Sequence, residues 1–317
     1  MHAPENYLKR GIMKILVATE KPFAAAAVDG IRQVVEEAGH ELVLLEKGTK
    51  ADLIAKVADA AGLIVRSDIV DKEVFDAAPL LKVVVRAGAG YDNIDLAEAT
   101  AHGVCVMNTP GQNSNAVAEL VFGMAVLMIR NRYNGKAGSE LKGKTLGIHA
   151  FGQVGRNVAR IAQGFGMQVS ALDPWVKDED MVAAGVTPVH SIEELYKNNQ
   201  FVSLHIPATA ETRQSVGKAL IALMPKGGVL INTARKEVID EASLAEALAE
   251  RPDIRYIADV KPDNADALAE QFGDRVFFTP KKMGAQTAEA NINAGIAAAR
   301  QVVAHLLDGW NRFQVNK

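Results

Sequence analysis

The chain holds one cysteine, Cys105, in 317 residues. A lone thiol cannot close an internal disulfide or supply a multi-cysteine zinc cage, so a reducing, cytoplasmic setting and no metal site are expected. Aromatic residues make up only 5% of the chain, which leaves the core to be built from aliphatic side chains. Neither sign of charge is in excess: 35 Lys and Arg stand against 38 Asp and Glu, a formal net charge of -3. That balance lacks the basic surplus on which non-specific nucleic-acid binding depends, and no nucleic-acid partner is expected. Long apolar runs are missing as well. The longest, Leu120 to Ile129, falls far short of the ~18 residues that span a bilayer, so no membrane partner is expected either. Met1 to Gly11 is polar, without the apolar stretch and small-residue cleavage site of a secretory signal, and regular periodicity starts only at Met13.

With 49% hydrophobic residues and 26 glycines, there is enough apolar material for a pair of globular domains. β-branched runs at Lys14 to Thr19, Glu41 to Leu45, Gly62 to Arg66, Lys82 to Arg86 and Val104 to Met107 read as strands. Amphipathic stretches between them, such as Ala24 to Ala38 and Asp52 to Ala60, read as helices. Apolar strands alternating with helices predict a parallel sheet covered on both faces. Asn108-Thr-Pro-Gly111 interrupts the pattern ahead of an apolar helix from about Asn115 to Arg130. A second alternating series follows, with strands near Leu146 to His149, Gln168 to Asp173, Phe201 to Ile206, Val229 to Thr233 and Tyr256 to Val260. A final helix, about Ala288 to Leu307, has no strand after it and is expected to return to the first domain, so that the chain crosses near Asn108 and again near Ala285.

Leu146-Gly-Ile-His-Ala-Phe-Gly-Gln-Val-Gly155 lies between a strand and a helix, where a Rossmann pyrophosphate loop belongs. Ala150 stands where the tight-turn glycine is usual. Gly152 and Gly155 hold the positions for backbone approach to a pyrophosphate and for close helix–strand packing. The next strand ends in Asp173, at about the spacing where an acid accepts the adenosine ribose hydroxyls. A carboxylate there repels a 2′-phosphate, and no arginine adjoins it, which predicts NAD rather than NADP.

These residues and several longer motifs resemble the D-2-hydroxyacid dehydrogenases and, within that family, the D-3-phosphoglycerate dehydrogenases. The motifs are Val65-Arg-Ser67, Val85-Arg-Ala-Gly-Ala-Gly-Tyr-Asp-Asn-Ile-Asp95, Asn108-Thr-Pro-Gly-Gln-Asn-Ser-Asn-Ala-Val-Ala-Glu119, Val202-Ser-Leu-His-Ile-Pro207, Ile231-Asn-Thr-Ala-Arg235, Thr279-Pro280 and Gly284-Ala285. The resemblance implies two doubly wound α/β domains, a Rossmann NAD domain (108–288) inserted into a flavodoxin-like substrate domain (13–107 and 289–317). It implies NAD-dependent oxidation of 3-phospho-D-glycerate to 3-phosphohydroxypyruvate, in serine biosynthesis, by a cytoplasmic homodimer; the apolar helix beginning near Asn115 is the element expected in the dimer interface, although periodicity alone does not distinguish that from core packing. By the same resemblance, Arg66, Ser67, Arg86, Ala89 and Gly90 meet the substrate. Phe151, Gly152, Gln153, Val154, Gly155, Asp173, His205, Pro207, Thr212, Thr233, Ala234, Asp259, Gly284 and Ala285 meet the cofactor, Asp259 through the nicotinamide carboxamide. Arg235 grips the carboxylate and polarises the reacting carbonyl.

The family's catalytic histidine is absent from Thr279-Pro-Lys-Lys-Met-Gly284. Anchoring on Gly284-Ala285 puts Lys282 in its place, whereas anchoring on Thr279-Pro280 puts Lys281 there. Lys282 is the acid/base favoured here, provided that burial and a nearby arginine lower its pKa. The glutamate that orients the histidine is replaced by Asn264, with Asp263 and Asp266 as possible substitutes. Lys236, where glycine is common, adds positive charge. The sequence stops at Lys317 without the regulatory domain of longer relatives, so feedback inhibition by serine through such a domain is not expected. Two other readings stay open: a dehydrogenase of another short D-2-hydroxy acid, and a non-catalytic NADH-binding protein resembling the corepressors that share the fold.

Overall fold

The computed structural model describes residues 11–316. Twelve strands run in chain order: β1 (Lys14–Thr19), β2 (Glu41–Glu46), β3 (Ala60–Val65), β4 (Val83–Arg86), β5 (Cys105–Asn108), β6 (Thr145–His149), β7 (Gln168–Leu172), β8 (Thr187–Pro188), β9 (Phe201–Leu204), β10 (Val229–Asn232), β11 (Arg255–Ala258) and β12 (Val276–Phe278). The α-helices are α1 (Ala25–Glu37), α2 (Lys50–Val57), α3 (Lys72–Asp76), α4 (Leu96–Ala101), α5 (Ser114–Ile129), α6 (Gln153–Gly164), α7 (Asp178–Ala183), α8 (Ile192–Asn198), α9 (Lys218–Leu223), α10 (Glu241–Glu250), α11 (Ala265–Phe272) and α12 (Ala288–Asp308).

The chain forms two compact units, one of the chain up to Asn113 together with the chain from Thr287, the other Ser114–Gln286. The motif reading placed these divisions after 107 and after 288. Residues just beyond β5 stay with the first unit because Thr109 N donates to Gly88 O at 2.9 Å. The first unit's sheet has the order β2-β1-β3-β4-β5, with all pairs parallel. This is the flavodoxin order, in which β3 lies beside β1 and the carboxyl ends of β3 and β4 are neighbours. Its core is aliphatic: β3 is buried throughout, and α12 packs on β3, β4 and α1. That contact depends on small residues, since a Cβ at Gly62 would stand 2.5 Å from Val302.

The second unit's sheet runs β12-β11-β10-β9-β6-β7-β8, also all parallel. The order reverses between β6 and β9, and ligands of such sheets bind outside the strand ends at that reversal. His149 of β6 pairs with Leu172 on one side and Leu204 on the other, so the glycine loop emerges at this crevice.

Two sequence expectations change. The helix expected at Asp52 starts at Lys50, because Thr49 and Asp52 exchange side chain–backbone hydrogen bonds in a capping box, and it ends at Val57, a turn at Ala58 and Asp59 leading into β3 at Ala60. Strands β8 and β12, two and three residues long, are too short to carry a periodic signal. The apolar α5 buries Val117, Ala118, Val121, Phe122, Met124, Ala125, Met128 and Ile129 in the second unit and leaves Leu120, Val126 and Leu127 half-buried. Being apolar nearly all round, it needs cover on most of its circumference. No helix among the described residues is long and apolar enough to cross a membrane.

Candidate functional site

In the second unit, the turn after β6 puts Ala150 at φ 85°, the left-handed region that the usual glycine enters without strain. A Cβ at Gly155 would stand 2.4 Å from Ala150 O, so α6 can lie on its strand only with glycine there. At Gly152, by contrast, a Cβ would meet nothing within 4 Å. Gly152 is the N-cap of α6 and offers no side-chain cap, which leaves the first-turn N–H groups open to an anion. Asp173 ties the loop to β7: its Oδ2 accepts from Phe151 N at 2.8 Å and its Oδ1 from Trp175 N at 2.9 Å. A carboxylate has further lone pairs, so both oxygens can still accept from ribose hydroxyls. Ala150→Gly is expected to raise stability by ~1 kcal/mol by relieving the left-handed alanine, read as a higher denaturant midpoint with unchanged NADH affinity.

Two neutral histidines flank this loop. Burial pushes His149 down to about 4 and His205 down to about 3. His205 Nε2 lies 3.0 Å from Ser203 Oγ, whereas His149 Nδ1 and the nearby Tyr196 hydroxyl are buried without hydrogen-bond partners among the described residues. The hydroxyl of Thr212 accepts from Thr209 N and donates to Pro207 O, closing the turn after β9. Thr233 Oγ1 is buried and unpartnered beyond β10. An open glycine N-cap, a tethered acid and unpartnered polar atoms at the sheet reversal suit a dinucleotide.

After β10, Asn232 is fully buried; its Oδ1 accepts from Ala234 N at 2.9 Å and its Nδ2 donates to Arg235 O at 2.9 Å. Arg235 is half-buried, its guanidinium touching only Ala234 O at 3.0 Å, and it makes no ion pair among the described residues. After β11, Asp259 is also fully buried. Its carboxylate accepts from Met283 N (2.6 Å), Gly284 N (2.8 Å) and Thr279 Oγ1 (3.0 Å). A Cβ at Gly284 would stand 2.9 Å from Asp259 Oδ2, which is why glycine follows the lysines. Lys281 and Lys282 are exposed on this loop. Asp263 pairs with Lys236 and Asp266 with Lys261. Lys236 therefore carries a compensated charge, and both candidate acids have partners of their own. Glu241, which the motif reading missed, accepts from Asp263 N and Asn264 N and fixes that loop.

In the first unit, β3 and β4 end side by side and deliver Arg66 and Arg86 together, Arg86 Nε donating to Arg66 O at 3.0 Å. Arg66 is held by neutral oxygens, those of Lys21 (3.1 Å), Pro22 (3.3 Å) and Asn291 (2.7 Å), and packs over the Phe23 ring. It has no ion pair among the described residues. The loop beyond β4 needs glycine: Gly88 has φ +148°, and a Cβ there would collide with Arg86 Nη1. Asn108 Nδ2 donates to Ala89 O at 2.7 Å and fixes the loop, while Ser67 and Ala89 are exposed and Gly90 half-exposed.

Residues 116–280 match the family described as D-isomer specific 2-hydroxyacid dehydrogenase, NAD binding domain. Among solved structures, the chain is similar to NAD+-bound 3-phosphoglycerate dehydrogenase of Entamoeba histolytica at 48% identity and a TM-score of 0.84, covering 97% of this chain and 99% of that one. Among curated proteins, it is 38% identical to D-3-phosphoglycerate dehydrogenase of Methanocaldococcus jannaschii over 85% of this chain and 54% of that one. It is 34% identical to hydroxypyruvate reductase of Thermotoga maritima over 81% of this chain and 88% of that one. The chain thus spans about half the length of the curated phosphoglycerate dehydrogenases it matches.

Proposed function

The chain belongs to the D-isomer specific 2-hydroxyacid dehydrogenase family, and on that premise we propose that it oxidises 3-phospho-D-glycerate to 3-phosphohydroxypyruvate with NAD, the step that feeds serine biosynthesis. The observation that carries the substrate is the Arg66–Arg86 pair. A half-buried guanidinium held by neutral oxygens, with a second arginine bonded to the main-chain carbonyl of the same residue, is a cationic pair suited to a phosphate. Gly88 N donates to Arg86 O, so it is the main-chain amides of Ala89 and Gly90 that supply donors for the substrate carboxylate. Phe151 to Gly155 and Asp173 hold the dinucleotide, with His205, Pro207, Thr212, Thr233, Ala234, Gly284 and Ala285 around it. Bound NAD supplies acceptance of a hydride from C2 of the alcohol.

The chain's own residues handle the charge and the proton. Arg235 stabilises negative charge on the oxygen at C2, and Lys282, once neutral, accepts the hydroxyl proton; in reduction its ammonium returns that proton. Desolvation by bound ligands and the Arg235 charge both favour the neutral amine this step needs. A cytoplasmic homodimer goes with this reading.

The test is NADH formation from 3-phospho-D-glycerate, D-glycerate and D-lactate, wild type against Lys282→Ala. The phosphorylated acid should be preferred, and the variant should lose about 10²-fold in kcat at neutral pH. Arg66 also braces Lys21, Pro22 and Asn291, which favours a second reading in which it is structural and another short D-2-hydroxy acid is the substrate. Preference for D-lactate would establish that reading. NADH binding without turnover of any substrate would instead point to an interaction protein.

A further inference from the structure

Resting on the role just given to the Ala89 and Gly90 amides, we propose that Asn316 is a positioning residue for the substrate carboxylate, acting through β5 and α4 on the loop beyond β4. The sheet of the first unit ends in β5, and the outer edge of such a strand presents backbone groups with no strand beside them. The C-terminal tail closes this edge. Val315 N donates to Val106 O at 2.8 Å, and Gln314 pairs antiparallel with Met107. The rest of the edge is taken by a side chain: Asn316 Oδ1 accepts from Val106 N at 2.7 Å, and its Nδ2 donates to Val104 O at 2.8 Å. The amide of Asn316 thus occupies the place of a neighbouring strand's peptide group. Its second N–H reaches Thr100 Oγ1 of α4 at 3.1 Å, and the whole side chain is buried. Both supports of the substrate loop meet at this amide. β5 runs on to Asn108, whose Nδ2 holds Ala89 O at 2.7 Å, and to Thr109, whose N–H holds Gly88 O at 2.9 Å, while α4 takes up the chain on the far side of the loop. Removing the amide strands Val106 N and Val104 O away from water and frees the end of an edge strand to shift. The Ala89 and Gly90 donors shift with it, and misplacement by even an ångström weakens their grip. A carboxylate is held alike in ground and transition state, so the loss falls on KM rather than kcat.

Steady-state kinetics on 3-phospho-D-glycerate, D-glycerate and D-lactate test this, together with amide exchange. Asn316→Ala should raise KM about tenfold while kcat stays within about threefold and Kd for NADH, read by fluorescence, within about twofold. All three acids present the same carboxylate, so the rise should be equal for each one that the wild type turns over. Asn316→Asp keeps the size and the acceptor for Val106 N but sets its other oxygen against Val104 O, acceptor to acceptor, and should raise KM at least as far. Val315→Pro removes only the N–H to Val106 O and should raise KM by about threefold; it decides by the same KM-against-kcat split if Asn316→Ala does not fold. Exchange of the Gly88 and Thr109 amides should speed about tenfold in the Asn316 variants, with β1 unchanged. Unchanged KM in both Asn316 variants would overturn the proposal, and so would a rise confined to the phosphorylated acid or a loss of kcat alone. A wild type that prefers D-lactate would sink the phosphoglycerate reading and leave this test intact. A wild type inactive on all three acids would sink the enzymatic reading, and the exchange of Gly88 and Thr109 would then decide: faster in the variants if Asn316 sets the loop, unchanged if it does not.

Discussion

Arg235→Ala is expected to lower kcat/KM for 3-phospho-D-glycerate by about 10³-fold while leaving thermal stability unchanged. The size follows from the role proposed for the guanidinium. Its only hydrogen bond in the described residues is to the neighbouring Ala234 carbonyl, and no carboxylate neutralises it. The turn that carries it is held through backbone atoms by Asn232, so truncating the side chain removes no support from the fold. The loss should therefore be confined to transition-state stabilisation, seen as lower kcat with little change in NADH affinity. Arg235→Lys should recover only part of the rate, since an ammonium keeps the charge but cannot present two parallel donors to a carboxylate. A variant that unfolds, or one that retains rate, would each contradict this account.

Acid should destabilise the protein well before its carboxylates titrate. Burial lowers His149 to about 4, His205 to about 3, and His40 in the same direction. In the unfolded chain each returns to ~6.5. Below that pH the unfolded state binds protons that the folded state refuses, so stability falls as pH falls. The contribution of these groups is complete above ~6.5 and is lost progressively toward 4 for His149 and toward 3 for His205. Each histidine accounts for ~1.4 kcal/mol per pH unit, so two of them remove ~5 kcal/mol between pH 6.5 and 4.5. That is comparable with the ~5–15 kcal/mol that holds a typical domain folded. Asp253, held well below the usual carboxylate range by Arg251, loses its contribution only at lower pH. Urea unfolding at pH 7, 6 and 5 would measure the slope, and His149→Leu should flatten it by about one histidine's share. Stability that is level from pH 7 to 5 would refute the assignment of these rings as neutral.

The sequence by itself determined the elements whose signals are local. Runs such as Lys14 to Thr19 and Val83 to Arg86 are apolar and β-branched because strands covered on both faces admit little else, and their alternation with helices allows few arrangements. The glycine loop and Asp173 were legible for the same reason: close approach at Gly155 and acceptance by a tethered carboxylate constrain residue type at fixed spacing. Only the tertiary structure decided which distant groups share a hydrogen bond. Asn291, on α12, holds Arg66 across 225 residues of chain, and no periodicity encodes that choice. Asp259 looks in sequence like an acid at a strand end facing ligand; its burial and its three donors come from a loop some two dozen residues later. Helix α5 reads as apolar all round, and what covers it is set by the sheet it lies on. Local sequence fixes backbone preference and burial pattern, whereas a polar partner is selected by geometry that exists only once the strands have come together.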